Sequence, residues 1–224
     1  MVSGKSEILT ELQEKFLIEF SKYSISEKFY LTGGTALSAF YIKHRYSEDM
    51  DFFTSQEGVI MQLKEILEKI STDLNSELYI RRSFETFLEC FIKNKKESIM
   101  LHFSLDTPFR LENPKKNEYY GIQIDSLIDI ACNKFSALFD RYDAKDFVDI
   151  YFISREVMDF WKIYEKAKQK HVGIEPYFLT VSLKNVYKIE KLPRMIKPVT
   201  IKELQEFYED KILKLMEKIK KGEI

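Results

Sequence analysis

Residues 29–53 read FYLTGGTALSAFYIKHRYSEDMDFF, and the side-chain order in this stretch decides the architecture. Lys28–Thr32 (KFYLT) has the β-branched and aromatic character of a short strand, and it runs straight into Gly33-Gly34. Thr35–Lys43 (TALSAFYIK) reads as a helix, and Met50–Thr54 (MDFFT) as a second strand with Asp49 at its start. Strand side chains alternate, so Asp49 and Asp51 share one face, Ser47 joins them if the extension begins that early, and Met50 and Phe52 take the packed face. The chain holds only 7 glycines. A sequence so sparing with this residue places an adjacent pair where the backbone must bend or approach something closely.

Outward from that stretch, Ile8, Leu9, Leu12, Phe16, Leu17 and Phe20 follow i, i+3, i+4 spacing, which predicts a helix over residues 5–22. A second helix is predicted over 58–72, then strands over 78–84, 86–93 and 98–105. The polar run Asn94-Lys95-Lys96-Glu97 turns the last two into a hairpin. After a short GIQID near residue 123 the texture becomes helical, with segments 126–141, 144–155, 157–171 and 200–221 punctuated by Pro176, Pro193 and Pro198. The fold class expected is mixed α/β (α+β). A small mixed sheet with flanking helices fills 1–125 and a helical part fills 126–224.

Composition narrows the function. Of 224 residues 45% are apolar and 32% charged, with 35 basic against 36 acidic side chains for a formal charge of -1. Such a balance implies no long basic stripe for nucleic acid. No apolar run reaches the roughly 20 residues of a membrane span. The N-terminal stretch mixes charges with Leu and Ile at helical spacing, unlike a signal peptide. Two cysteines, Cys90 and Cys132, are too few for a disulfide framework or a zinc cluster. His44 and His171 have no cysteine or second histidine at ligand spacing. A cytoplasmic protein with no membrane partner is expected.

Two carboxylates side by side repel and lose hydration unless a cation lies between them. Mg²⁺, or Mn²⁺, suits Asp49 and Asp51, because a hard cation takes oxygen ligands and keeps positions for phosphate oxygens. Gly33-Gly34 supplies the complementary half: backbone N–H groups where a helix opens favour anions, with the Thr35 hydroxyl as a further donor. Taken alone, a Gly-Gly is an ordinary turn and an Asp-x-Asp an ordinary solvated strand edge. In order, one helix apart, they describe a metal–triphosphate site.

Gly33-Gly34-Thr35-Ala36-Leu37, followed by His44-Arg45, Ser47, Asp49 and Asp51, resembles the pattern of the AbiEii/AbiGii-type toxins, a branch of the DNA polymerase β-like nucleotidyltransferases. The resemblance implies a nucleotidyltransferase-like sheet with a helical C-terminal part, Gly33 and Gly34 on nucleotide phosphates, and Asp49 and Asp51 on Mg²⁺. It places Ser47 beside the metal, touching phosphate. Arg45 stands either as a substrate contact or as an ion-pair partner of Glu48 or the Asp pair.

A second block, Leu127–Phe152 (LIDIACNKFSALFDRYDAKDFVDIYF), fits the same family's "K-x3-AL-x2-R … [RK]-D-x2-D-[IL]" through Lys134, Ala137, Leu138, Arg141, Lys145, Asp146, Asp149 and Ile150. By residue type alone these charges are a solvated face. By the resemblance, Lys134 reaches a triphosphate, and Lys134 and Asp146 are the lysine and aspartate important for activity. One departure stands out. Polymerase β-like enzymes carry a third carboxylate on a neighbouring strand, and here Ile99–Leu105 (IMLHFSL) offers His102. A neutral imidazole can act as base near pH 7. The alternative is a structural histidine, and Asp106 shares the same face farther along. The basic stretches Lys93–Lys96 and Lys184–Arg194 read as solvent-facing.

The expected activity is Mg²⁺-dependent transfer of NMP from an NTP to an acceptor hydroxyl on RNA, tRNA or protein. The expected setting is the toxin of a type IV toxin–antitoxin or phage-defence pair with a cognate antitoxin. The alternative is a catalytically impaired nucleotide-binding or interaction module of the same fold. An Asp-x-Asp glycosyltransferase is disfavoured, because the glycine pair opens a helix outside any larger Rossmann-type unit.

Overall fold

The computed structural model describes residues 3–222. Residues 1–2 and 223–224, the outermost positions of the spans 1–125 and 126–224, lie outside the described residues. The chain divides into two compact units. The first runs up to Lys43 and again over Ser47–Ser126, and the second joins His44–Tyr46 to the chain from Leu127 onward.

The first unit is built on a seven-stranded mixed sheet. Its strands are β1 (Tyr30–Thr32), β2 (Asp49–Thr54), β3 (Glu77–Ser83), β4 (Phe87–Lys93), β5 (Ser98–Leu105), β6 (Lys115–Asn117) and β7 (Ile122–Ile124). They lie in the order β3-β4-β5-β2-β1-β7-β6. β2 sits inside the sheet, antiparallel to β1 and parallel to β5, with Thr32 opposite Asp51 and Asp51 opposite His102. The alternation along β2 is the one its sequence dictates: Met50, Phe52 and Thr54 are buried, and Asp49, Asp51 and Phe53 are half-buried on the other face.

Phe52 belongs to an aromatic core beneath the sheet. Its ring stacks on Phe103 at 5.0 Å and meets Phe20 edge-on at 5.4 Å, while Phe29 meets Phe103 at 5.4 Å. Phe16 and Phe20 come from α1 (Glu11–Ser21), whose Leu12, Phe16, Leu17 and Phe20 form the buried stripe. The helix starts at Glu11, later than residue 5, because Thr10 and Gln13 close a capping box there. Glu97, from the β4–β5 turn, also accepts from the Leu12 amide at 3.0 Å. The segment after β1 is α2 (Gly33–Leu37), which widens into a π-helical turn over Ser38–Ile42 and ends at Lys43 with φ 49°. The helix expected over 58–72 forms as a 3₁₀ turn, Ile60–Gln62, followed by α3 (Leu63–Asp73). No local pattern marks β6, whose Lys-Lys-Asn lacks strand character and exists by pairing with β7.

The second unit packs α4 (Leu127–Asp140), α5 (Ala144–Glu156), α6 (Phe160–Lys170), α7 (Pro176–Leu183) and α8 (Ile201–Lys221). Phe135, Phe160 and Tyr164 pack together from α4 and α6, and Tyr208 of α8 meets Phe147 at 5.1 Å and donates its hydroxyl to the Phe147 carbonyl at 2.7 Å. Helix α7 was not expected. The stretch expected to face solvent over Lys184–Arg194 is instead partly inside: Val186 and Ile189 are buried, and the Arg194 guanidinium lies 4.1 Å over the Tyr46 ring. No helix among the described residues is long and apolar enough to cross a membrane.

Candidate active site

Gly33 has φ +69°, a conformation that L side chains rarely adopt, and a Cβ built there would lie 2.3 Å from the Asp51 Oδ2. The backbone of the turn therefore passes against the Asp51 carboxylate at a distance only glycine permits. Thr32, the residue before the helix, makes no side-chain cap. Its hydroxyl is drawn away to Asp125 Oδ2 at 2.6 Å, so the first-turn amides of α2 keep their capacity for an anion. Thr35 is buried, and its hydroxyl donates to the Asp49 carbonyl. It fixes the strand that carries the acids, a role sequence reading assigned instead to phosphate. Gly34 is buried in the same turn.

Asp49 and Asp51 point from the same face of β2. Among the described residues no group of three or more His, Cys, Asp or Glu is gathered to hold a metal. The pair sets carboxylate oxygens beside a glycine corner, a donor set that fits a hard divalent cation sharing its coordination with phosphate. Ser47 precedes β2 in the chain. Its carbonyl and that of Glu48 accept from Gln13 Nε2 at 3.1 and 3.3 Å, so a buried glutamine of α1 sets the approach to the acid pair.

His102 stands across from Asp51 on β5, with Nδ1 3.0 Å from Asp51 Oδ1 and its ring against Phe87 at 5.9 Å. The hydrogen bond to Asp51 raises the imidazole above its ordinary pKa, against the opposing effect of burial. The strand register also sets Glu89 of β4 opposite His102 on the same face. Glu89 is only 4% exposed and pairs with Arg81 at 2.8 Å. A period-two count along FLECFIK was the only sequence signal for it, and nothing in the stretch named its partner.

A buried cluster holds the end of β1. Asp125, fully buried, takes the Thr32 hydroxyl and the Arg110 guanidinium, and its amide donates to the Leu31 carbonyl at 2.9 Å. Arg110 also covers the Tyr30 ring at 4.2 Å, and the Tyr30 hydroxyl donates to Asp106 at 2.7 Å. Asp106, one residue past the end of β5, is thus engaged by Tyr30.

In the second unit the sequence-predicted charges meet around Asp149. Its Oδ1 accepts from His44 Nε2 and Arg45 Nε, both at 2.6 Å, its Oδ2 accepts from an Arg45 terminal nitrogen at 2.9 Å, and Lys134 Nζ forms an ion pair with Oδ2 at 2.9 Å. Lys134 Nζ also reaches Asp146 Oδ1 at 2.9 Å, and Asp146 takes the Arg141 guanidinium at 2.7 Å. Arg45, 1% exposed, is therefore an ion-pair partner of Asp149, where the sequence had pointed to Glu48 or the Asp pair. Burial opposes the charge on Asp149, yet Arg45 and Lys134 hold its carboxyl well below the usual range. Burial likewise opposes the Lys134 charge, and Asp149 and Asp146 overcome it and raise that ammonium. Burial lowers the His44 pKa from its ordinary value, against the opposing effect of its hydrogen bond to Asp149. His44, Arg45, Lys134, Asp146 and Asp149 are all buried in this network, which corrects their reading as a solvated face, while Arg141 and Lys145 remain exposed.

A strand, a glycine turn and a helix, followed by a carboxylate pair on the next strand, define a site of the nucleotidyltransferase class. The sequence matches the family described as nucleotidyl transferase AbiEii toxin, type IV TA system, over residues 15–221. It is 33% identical over 213 residues to the uncharacterized protein aq_aa25 of Aquifex aeolicus, covering 93% of this chain and 98% of that one. Two solved structures share the fold. JHP933 of Helicobacter pylori has 19% identity, a TM-score of 0.58 and 96% of each chain covered. MenT4, a nucleotidyltransferase toxin of Mycobacterium tuberculosis, has 15% identity, a TM-score of 0.59, and 92% of this chain and 82% of that one covered. The chain belongs to the AbiEii toxin family of nucleotidyltransferases. Membership in a type IV toxin–antitoxin family implies a nucleoside triphosphate substrate and an antitoxin partner.

Proposed function

We propose that this chain transfers NMP from an NTP to an acceptor hydroxyl on RNA, tRNA or protein, with Mg²⁺ or Mn²⁺, as the toxin of a cytoplasmic toxin–antitoxin or phage-defence pair. The observation that carries this reading is the Gly33 turn lying against Asp51 on the strand face that also presents Asp49. Asp49 and Asp51 would hold the cation. When bound, it neutralises charge on the transferring phosphoryl group and on the departing pyrophosphate.

The other roles follow from the chain itself. Gly33 and Gly34 offer main-chain amides to the phosphates, and Ser47 a hydroxyl. Thr35 locks the Asp49 carbonyl and so steadies the acid-bearing strand. Lys134 supplies positive charge for the triphosphate, and Asp146 shares in holding that ammonium. With Nδ1 occupied by Asp51, His102 has Nε2 left to take the proton of the acceptor hydroxyl. Arg45 serves the fold through Asp149.

A second reading, a nucleotide-binding module without transfer, is favoured by one observation: β5 carries His102 where the superfamily pattern places a carboxylate. Incubation with labelled NTPs, divalent metal, and RNA or protein acceptors separates the two. The expected outcome is label covalently attached to one acceptor class and lost to background in Asp49→Ala. Nucleotide binding without attachment to any acceptor would select the second reading.

A further inference from the structure

At Thr32, the last residue before the glycine turn, the sheet is one-sided. Towards β2 the pairing of β1 runs on to Thr32, opposite Asp51, whereas towards β7 it stops at Leu31, opposite Ile124. Asp125, the residue after Ile124, takes up the other side. Its amide donates to the Leu31 carbonyl at 2.9 Å, and its carboxylate accepts the Thr32 hydroxyl at 2.6 Å. The same residue reaches the far arm of the turn. Its carbonyl accepts from the Tyr41 hydroxyl at 2.6 Å, and Tyr41 lies in the π-helical turn Ser38–Ile42 that follows α2. Such turns are rare and occur frequently at functional sites. One residue thus grips both the strand that enters the glycine corner and the helix that leaves it.

Asp125 and Thr32 are 0% and 1% exposed, and the Arg110 guanidinium that pairs with Asp125 Oδ1 also covers the Tyr30 ring. A buried ion pair gives little net stability over apolar packing, so stability alone does not account for a carboxylate at this point. Its place in the sheet does. Across the strand from Thr32 stands Asp51, and the gap between Gly33 and the Asp51 carboxylate is too narrow for a methyl group. Close-packed groups transmit a displacement without slack, so a turn that moves carries the acid with it.

We propose that Asp125 is a positioning residue: through Thr32 and Tyr41 it fixes both arms of the glycine turn and thereby sets where Gly33 meets Asp51. That the corner serves a metal and a nucleotide rests on the nucleotidyltransferase reading. The fixing of the turn does not.

The test compares Asp125→Asn, Thr32→Val, Thr32→Ser and Leu67→Ala with the wild-type full chain. Leu67, fully buried on α3, controls for lost stability alone. Three quantities are read: melting temperature, ¹⁵N relaxation dispersion at the Gly33 and Gly34 amides, and the Mn²⁺ dissociation constant by electron paramagnetic resonance without nucleotide. Dispersion is expected at both glycines in Asp125→Asn and Thr32→Val, and at neither in the wild type, Thr32→Ser or Leu67→Ala. Mn²⁺ binding should weaken about tenfold in Asp125→Asn and Thr32→Val, and stay within about twofold of wild type in Thr32→Ser and Leu67→Ala. The double variant Thr32→Val with Asp125→Asn should add little to either alone, because both remove one hydrogen bond. If Asp125→Asn fails to fold, the two Thr32 variants decide. Flat dispersion at both glycines in Thr32→Val, or equal dispersion in Leu67→Ala, overturns the positioning role. So does an Mn²⁺ affinity that falls as far in Leu67→Ala as in Thr32→Val. Absence of Mn²⁺ binding and of NTP transfer in the wild type overturns the nucleotidyltransferase reading instead, and the glycine dispersion still decides whether Asp125 fixes the turn.

Discussion

Alanine at position 33 would have to place its methyl group 2.3 Å from the Asp51 carboxylate in a backbone conformation of φ +69°. The backbone term costs about 1–3 kcal/mol, but the displacement of Asp51 is what chemistry would feel, since a shift of roughly 1 Å in a catalytic group costs on the order of 100-fold in rate. Gly33→Ala is therefore expected to lose about 100-fold in NTP transfer while keeping a cooperative melt, measured by label incorporation beside circular dichroism. Asp149 and His44 both contribute to the acid limb of the stability curve. Both have folded pKa values below their ordinary 3.8 and 6.5, so the stabilisation they give is complete above those values and is lost as pH falls through the depressed folded ones. Melting temperature should decline as the solution is acidified below 6.5 and more steeply below 3.8, and Asp149→Asn should flatten the lower part. A wild-type acid limb in that variant would contradict the assignment. Asp49, Asp51 and Gly33 were legible because period two and a glycine pair are local signals. Gln13, Asp125 and the partner of Arg45 were not, because each is defined by what meets it from a distant part of the chain.

At the scale of elements, β2 and α1 share one aromatic core, and Phe52 sits at its centre with 1% exposure. Phe52→Ala is expected to destabilise by about 3–5 kcal/mol, seen as a lower urea midpoint at unchanged slope; a loss under about 1 kcal/mol would mean the core collapses around the gap. The same stretch shows what pattern reading catches and what it misses. The alternation of DMDFFT carried enough information to face every side chain correctly. The stripe of α1 was equally plain, but its start was misplaced, because Ile8 and Leu9 continue the spacing while Thr10 and Gln13 end the helix by capping. Helix α7 escaped because PYFLTVSL is apolar on nearly all sides and shows no stripe. β6 escaped because an edge pairing, and no propensity of its own, makes Lys115–Asn117 a strand.

For the whole molecule, the division of the chain interleaves: His44–Tyr46 lies within the N-terminal half of the sequence and belongs to the helical unit. A fragment cut to 126–224 would leave Asp149 without His44 and Arg45, two of its three partners. Breaking a buried ion pair by removing one side costs about 3–5 kcal/mol, so this fragment is expected to melt without a sharp transition, or far below the full chain, by circular dichroism. A cooperative melt at the temperature of the intact protein would refute the importance of that segment. The interleaving also bears on how the protein is made. A ribosome adds roughly 5–20 residues per second, and 105 positions separate His44 from Asp149. For about 5–20 s, then, each nascent copy carries an arginine destined for the interior with its counter-ion still untranslated, and the earliest-made strands must wait in that state until α5 has been read.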